Sequence, residues 1–380
     1  MSITIGFDAK RAVANMTGLG NYSRFVIESL AERRPDIHLR LYTPKMYENS
    51  RLHHINHLPN VVYSLPSGGM ARGSVWRSWS ITKQLRLDGV TLYHGLSNEL
   101  PLNIATSGIK TVLTMHDVIY RRLPQCYKPI DRKIYDFKYG RSCRVADRII
   151  AVSQRTKDDI VELYNVAPDR IDVVYQGCDS EFRRMRTGIE KRETAHRLQL
   201  PDRFLLQVGT VERRKNLELT VRALALLPED VHLVVVGRDN HGYKSYCSHI
   251  AEQIGVAGRI VWLDSLDFAD LPTLGQMAEV ICYPSRYEGF GIPILEGLES
   301  RRPVVAATGS CLEEAGGEAA YYVDPDDVRG MAAVLTDLLR DGAPDGRIEA
   351  GLRHAARFSN DNVADGILAT YARLFPALAQ

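Results

Sequence analysis

The chain has 380 residues, of which 45% are hydrophobic and 25% charged, with a formal net charge of +2. Those values exclude a disordered or fibrous protein, and the length predicts two globular domains and therefore a cleft. Six cysteines (Cys126, Cys143, Cys178, Cys247, Cys282 and Cys311) form no CxxC pair and no Cys/His spacing suited to zinc, which fits a reducing cytoplasm.

The first β-branched run, Ile3–Phe7, reads as a strand and not as the opening of a signal peptide. No stretch reaches the roughly 18 apolar residues of a membrane span, so a cytoplasmic protein is expected. Further runs at His38–Tyr42, Val61–Ser64, Thr91–His94, Lys110–Met115, Arg148–Val152 and Ile171–Val174 alternate with helical segments such as Tyr22–Arg33 and Thr156–Tyr164. Such alternation predicts a parallel sheet covered by helices. The polar, Arg-rich stretch Ser180–Arg192 interrupts the pattern and is read as an interdomain linker, about residues 180–200. Strands resume at Phe204–Val208, His232–Val236, Ile260–Leu263, Val280–Tyr283, Pro303–Ala306 and Ala320–Val323, joined by helices including Leu217–Leu227 and Pro293–Ser300. Asp341–Gly346 reads as a surface loop before the final helices. The expected fold is α/β: two Rossmann-like, doubly wound parallel-sheet domains, 1–180 and 181–360, with a terminal segment at 361–380. Residues 1–180 carry a net charge of +8 and the remainder −6, an asymmetry that points to an anionic partner for the first domain.

The most informative segment runs from Tyr283 through Glu288-Gly289-Phe290-Gly291 to Glu296, from a strand through a glycine turn into a helix. Pro293 suits the first helical position. The amides of Gly289, Phe290 and Gly291 and the positive end of the helix dipole then face the strand-end crevice, where an anion belongs. Glu288 and Glu296 can border the same crevice, and a carboxylate accepting two hydrogen bonds suits a vicinal diol. Upstream, Gly209, Thr210, Arg214 and Lys215 follow a strand, and adjacent cations there can neutralise a pyrophosphate. Ser310, after a later strand, could offer its hydroxyl to a phosphate.

Two basic stretches mark the first domain. Ala71–Arg86 interleaves Trp76 and Trp79 with Arg72, Arg77, Lys83 and Arg86, and Arg121–Lys157 holds eleven Lys/Arg. Tryptophan among cations suits contact with an anionic membrane surface. No nucleic-acid partner is expected.

The segments Val208–Asn216, Tyr287–Glu296 and Glu314–Pro325 together resemble the retaining glycosyltransferases of family 4, and Gly18–Tyr22, Thr114–Asp117, Ala146–Ser153 and Gln176–Asp179 agree with that likeness. The resemblance implies a GT-B fold in which a helix around Asn360–Phe375 crosses back to the first domain. It implies that Glu288 contacts the donor hexose, Glu296 the ribose hydroxyls, and Arg214 and Lys215 the diphosphate. It places His116 near the donor's reacting carbon, and Gly18 and Gly20 in a loop approaching the diphosphate and acceptor. Many members carry Arg where this chain has Thr210, so Arg214 would supply the missing cation.

The implied reaction is retaining hexose transfer, in the mannosyltransferase style of O-antigen and other polysaccharide synthesis, from a nucleotide-sugar donor, GDP-mannose above a UDP-hexose. The acceptor is a glycan or lipid-linked molecule. The nucleotide sugar is a co-substrate, no cofactor is expected, and cations with helix-start amides replace a divalent metal in stabilising the leaving group. Front-face attack is preferred to a covalent Glu288 intermediate. His116 is expected to orient the hexose through a backbone or ring contact. The base-reading loop is placed around Leu263–Leu271. A dinucleotide-dependent oxidoreductase fares badly: Gly18-Leu-Gly-Asn-Tyr-Ser23 lacks the third glycine and starts too far from Ile3–Phe7. An epimerase, a phosphorolytic relative and a non-catalytic sugar-nucleotide-binding protein are the remaining alternatives.

Overall fold

The computed structural model describes residues 3–67, 73–239, 242–344 and 346–379. Ala71 and Arg72 of the first basic stretch, and Asp345 of the surface loop, lie outside the described residues. The chain divides into two compact units, the first formed by residues 1–177 with 358–380, the second by 178–357.

The first unit is a seven-stranded parallel sheet in the order β3-β2-β1-β4-β5-β6-β7. The strands are β1 Thr4–Asp8, β2 His38–Tyr42, β3 Val61–Ser64, β4 Leu92–Gly95, β5 Lys110–Met115, β6 Arg148–Ala151 and β7 Ile171–Val173. Central strands of such a sheet are covered on both faces, which is why β5 is buried at every residue after Lys110, its two threonines included. Strand order reverses between β1 and β4, which pair through Phe7 and His94, so Asp8, Gly95 and the residues after β5 stand at a topological switch point.

The C-terminal helix Asn360–Ala372 belongs to this unit and packs on the helix Gly18–Arg33. Tyr371 on it is fully buried, its hydroxyl 2.6 Å from His94 Nδ1, and an exposed Arg33–Asp365 pair at 3.0 Å adds little. Where the chain leaves and re-enters, Gly177 is required, since a Cβ there would stand 2.5 Å from the Phe358 carbonyl oxygen and 2.8 Å from the Phe25 ring.

The second unit is a six-stranded parallel sheet in the order β10-β9-β8-β11-β12-β13. Its strands are β8 Phe204–Val208, β9 His232–Val236, β10 Ile260–Leu263, β11 Val280–Tyr283, β12 Val304–Ala307 and β13 Tyr321–Val323. The order reverses between β8 and β11, the two strands that carry the candidate residues at their carboxyl ends.

Several expectations are corrected. Ser180–Arg192 is not a bare linker: it holds a 3-10 turn at Ser180–Phe182 and enters a helix, Gly188–Leu198, opened by a Thr187/Glu190 capping box. Three of its arginines are committed to ion pairs, Arg183 with Glu299 and both Arg184 and Arg186 with Glu181. The helix expected from Tyr22 starts at Gly18, so Gly18 and Gly20 form its first turn and not a loop. Glycine is tolerated there, and Gly20 is needed because a Cβ would overlap the Asn15 carbonyl oxygen, whereas Gly18 faces open space. In the helix Ile292–Glu299, Pro293 is the second helical residue and Glu296 lies beyond the first turn. Trp76 is a core residue, its indole donating to Gln84 Oε1 at 3.2 Å, so it forms no part of a surface.

Candidate functional site

In the second unit the loop after β8 and the loop after β11 are tied together by the Arg286 amide, which donates to the Arg214 carbonyl at 2.8 Å. This brings four of the singled-out side chains into one cluster. Glu288 Oε2 lies 2.7 Å from Arg214 Nη1, and Oε1 lies 2.6 Å from Lys215 Nζ. Lys215 also donates to the Tyr283 hydroxyl at 2.6 Å, and Arg214 donates to the Tyr287 carbonyl at 2.8 Å and to Glu212 Oε1 at 2.6 Å. Burial alone would raise the Glu288 pKa, but the charges of Arg214 and Lys215 hold it at about 2, so the carboxylate is ionised at neutral pH. Burial, with Arg214 adding to it, lowers the Lys215 pKa against the pull of Glu288.

Two glycines shape the floor. Gly209 has φ +142° and Gly237, at the end of the neighbouring β9, has φ +155°; a Cβ on Gly237 would overlap the Gly209 carbonyl oxygen. The turn before the Ile292–Glu299 helix is held by Cys311, whose thiol donates to the carbonyls of Glu288 at 3.1 Å and Phe290 at 2.9 Å. Gly291 precedes that helix at φ +131°, a conformation side-chain-bearing residues rarely adopt. Ser285 stands close enough to hydrogen-bond Glu288 and Tyr283, and Ser310 close enough to bond the Cys311 thiol. Glu296 is half-buried, close enough to Cys178 for its charge to help raise that thiol's pKa, after burial itself. Thr210 follows Gly209, half-buried. The expected base-reading loop carries a short 3-10 turn, Phe268–Asp270.

In the first unit, His116 follows β5 and is bonded almost throughout. Its amide donates to Asn98 Oδ1 at 2.7 Å, its carbonyl accepts from Thr156 Oγ1 at 3.3 Å, and its ring meets Tyr22 edge-on at 4.6 Å between centroids. The ring Nε2 lies 2.9 Å from the Leu96 carbonyl. A carbonyl only accepts, so Nε2 carries the proton and Nδ1 is left as a lone-pair acceptor. Burial lowers the His116 pKa to about 4, keeping the ring neutral and a poor general base. Asn98 reaches it from the left-handed region at φ +63°. Behind this histidine, His94 Nε2 and the Tyr22 hydroxyl both meet Thr114 Oγ1, at 2.8 and 3.1 Å.

Glu212, Cys311, Gly237, Asn98 and the Leu96 carbonyl were not anticipated. Only Gly237 had a signal, a glycine after a strand like Gly209.

A doubly wound unit that gathers two cations, a carboxylate and helix-start amides at its switch point is of the nucleotide-phosphate-binding kind. Two family descriptions match the chain: "Glycosyltransferase Family 4" over residues 16–182 and "Glycosyl transferases group 1" over residues 189–356. The chain belongs to the family-4 glycosyltransferases of GT-B fold. It is similar to the O-antigen chain mannosyltransferase B of Escherichia coli, 29% identical over 94% of this chain and 97% of that one. It is also similar to the D-inositol 3-phosphate glycosyltransferase of Mycobacterium tuberculosis, 33% identical over 60% of this chain and 49% of that one. Among solved structures, Anabaena HepE in complex with UDP and glucose has a TM-score of 0.74 at 17% identity, covering 98% of this chain and 100% of that one. WaaG, a glycosyltransferase involved in lipopolysaccharide biosynthesis, has a TM-score of 0.69 at 18% identity, covering 97% of this chain and 98% of that one. Among the described residues no helix is long and apolar enough to cross a membrane, and no three His, Cys, Asp or Glu side chains gather as a metal site.

Proposed function

We propose that this glycosyltransferase is a retaining, metal-independent enzyme that moves mannose from GDP-mannose to a glycan or lipid-linked acceptor in cell-surface polysaccharide assembly. The observation that carries the reading is the Arg214–Glu288–Lys215 cluster beside Tyr283 and the Gly289–Gly291 turn. Similarity along nearly the full length to an O-antigen mannosyltransferase supports mannose as the sugar.

Glu288 compensates both cations. The roughly two negative charges of a donor diphosphate compete for Arg214 and Lys215, releasing the carboxylate to accept from hexose hydroxyls. Gly209, Thr210 and the Gly289–Gly291 turn line the phosphate side, the Gly209 amide being held by the Val236 carbonyl at 2.9 Å; Glu296 takes the ribose hydroxyls, and the leaving diphosphate is stabilised by fixed cations without a divalent metal. At the start of the Gly18–Arg33 helix Gly18 is exposed and Gly20 is pressed on Asn15, and this turn is assigned to the acceptor. His116 orients the hexose through its Nδ1. The acceptor hydroxyl attacks the face from which the diphosphate leaves, a phosphate oxygen taking the proton. The enzyme works in the cytoplasm, peripherally at the inner membrane face.

Calorimetric titration with GDP-, UDP-, dTDP- and ADP-sugars tests the donor. GDP-mannose binding tightest, unchanged by a chelator, supports the reading; preference for a UDP-hexose replaces the donor, and no nucleotide-sugar binding ends the proposal.

A further inference from the structure

A surface helix ordinarily turns its polar residues to water. The helix Pro129–Val145 turns large apolar side chains to water as well. Ile130, Ile134 and Phe137 are 62%, 44% and 59% exposed, and their spacing of four and three residues puts them on one face, continued by Arg141 and Arg144. Tyr135, Tyr139 and Val145 pack inward against the core beneath, so the outer stripe is surplus to the fold.

A second exposed apolar element lies beside it. Val75 and Trp79 are 55% and 52% exposed in the segment whose Trp76 fills the core. Arg77 of that segment and Lys138 of the helix share Glu99 Oε2 at 3.1 and 3.2 Å. The Ser78 carbonyl accepts from the Leu102 amide at 2.7 Å, and Arg141 Nε donates to the Leu102 carbonyl at 3.1 Å. Five exposed large apolar side chains therefore stand on adjoining elements, more than scattered surface residues require.

Of the eleven cations of Arg121–Lys157, Lys138 is bound to Glu99, Arg155 to Asp159, Arg141 to the Leu102 carbonyl and Lys157 to the Ile171 carbonyl. Arg121, Arg122 and Arg148 are bound to Asp136, Asp159 and Asp172. Lys128, Arg132, Lys133 and Arg144 make no ion pair among the described residues and are exposed, all on or next to the helix that carries the apolar stripe. Apolar side chains able to enter the headgroup–acyl boundary, with a Trp among them and uncompensated cations around them, match an anionic bilayer.

We propose that this face, formed by Ile130, Ile134, Phe137, Val75 and Trp79 with Lys133 and Arg144, docks the first unit on an anionic lipid surface. The inference rests on the lipid-linked acceptor proposed above and gives it a location, but its test needs no donor. The full chain is sedimented with vesicles of phosphatidylcholine, with and without phosphatidylglycerol, at low and high salt. Binding to the anionic vesicles that weakens with salt is expected, with a loss of at least about tenfold in Lys133→Ser/Arg144→Ser and in Ile134→Ser/Phe137→Ser. All substituted side chains are exposed, so unchanged melting temperature and donor binding certify the folded variants. No vesicle binding, equal binding to neutral vesicles, or variants that bind like the parent overturns the proposal. So does self-association abolished by Ile134→Ser/Phe137→Ser with vesicle binding intact, which would make the face a protein interface. Loss of nucleotide-sugar binding in the parent chain would instead count against the transferase reading and leave the vesicle result standing.

Discussion

Replacing Glu288 by Gln removes a charge that the structure places between two cations. The carboxyl is held at about 2 against an ordinary 4.5, an interval that corresponds to about 3 kcal/mol of preference for the ionised form. Because the folded-state pKa is depressed, this stabilisation is present in full above about pH 4.5 and is lost as pH falls toward 2. Glu288→Gln should therefore cost up to about 3 kcal/mol at pH 7, or roughly 6–12 °C in melting temperature for a unit of this size. The deficit should shrink as the parent protonates. Scanning calorimetry of both proteins at pH 7 and in mild acid checks this directly. Equal melting at pH 7, or a deficit that stays constant into acid, would refute the claim that Glu288 is the counter-ion of Arg214 and Lys215.

The same substitution leaves the cations without their internal competitor, so GDP should bind more tightly while hexose transfer slows; weaker GDP binding would argue that Glu288 only braces the loops. His116→Ala should lower turnover far more than it raises the donor KM, and unaltered turnover in a folded protein would remove His116 from the reaction. Gly20→Ala should destabilise strongly because its Cβ overlaps the Asn15 carbonyl oxygen, whereas Gly18→Ala, which meets open space, should be neutral or stabilising by up to about 1 kcal/mol in thermal or denaturant unfolding. Tyr371→Phe should cost about 1–3 kcal/mol by leaving His94 Nδ1 buried without its partner, and an unchanged unfolding midpoint would contradict that.

The strands were legible because buried parallel strands are short β-branched runs, and all thirteen fall at the predicted positions to within a residue or two. Helix starts were less so. Gly18 and Gly20 look like loop residues, and only the three-dimensional approach of Asn15 shows why a helix begins with them. The Thr187–Glu190 capping box was readable in principle, but the density of arginines around it read as linker. At the candidate site, Tyr283, Glu288, Arg214 and Lys215 could be singled out because each ends or follows a strand. That Glu288 binds both cations could not: the partners lie 73 residues or more apart, and only the β8–β11 adjacency joins them. The basic stretches showed charge without compensation, which depends on carboxylates such as Asp136, Asp159 and Asp172 brought alongside by folding.

Arg214 and Lys215 are the cations proposed to receive a nucleotide diphosphate. Calorimetric titration of GDP-mannose into the parent chain, Arg214→Met and Lys215→Met measures this most directly. The parent should bind saturably, and each folded variant should lose at least about tenfold in affinity for both GDP-mannose and GDP. Affinities that survive both substitutions would contradict it.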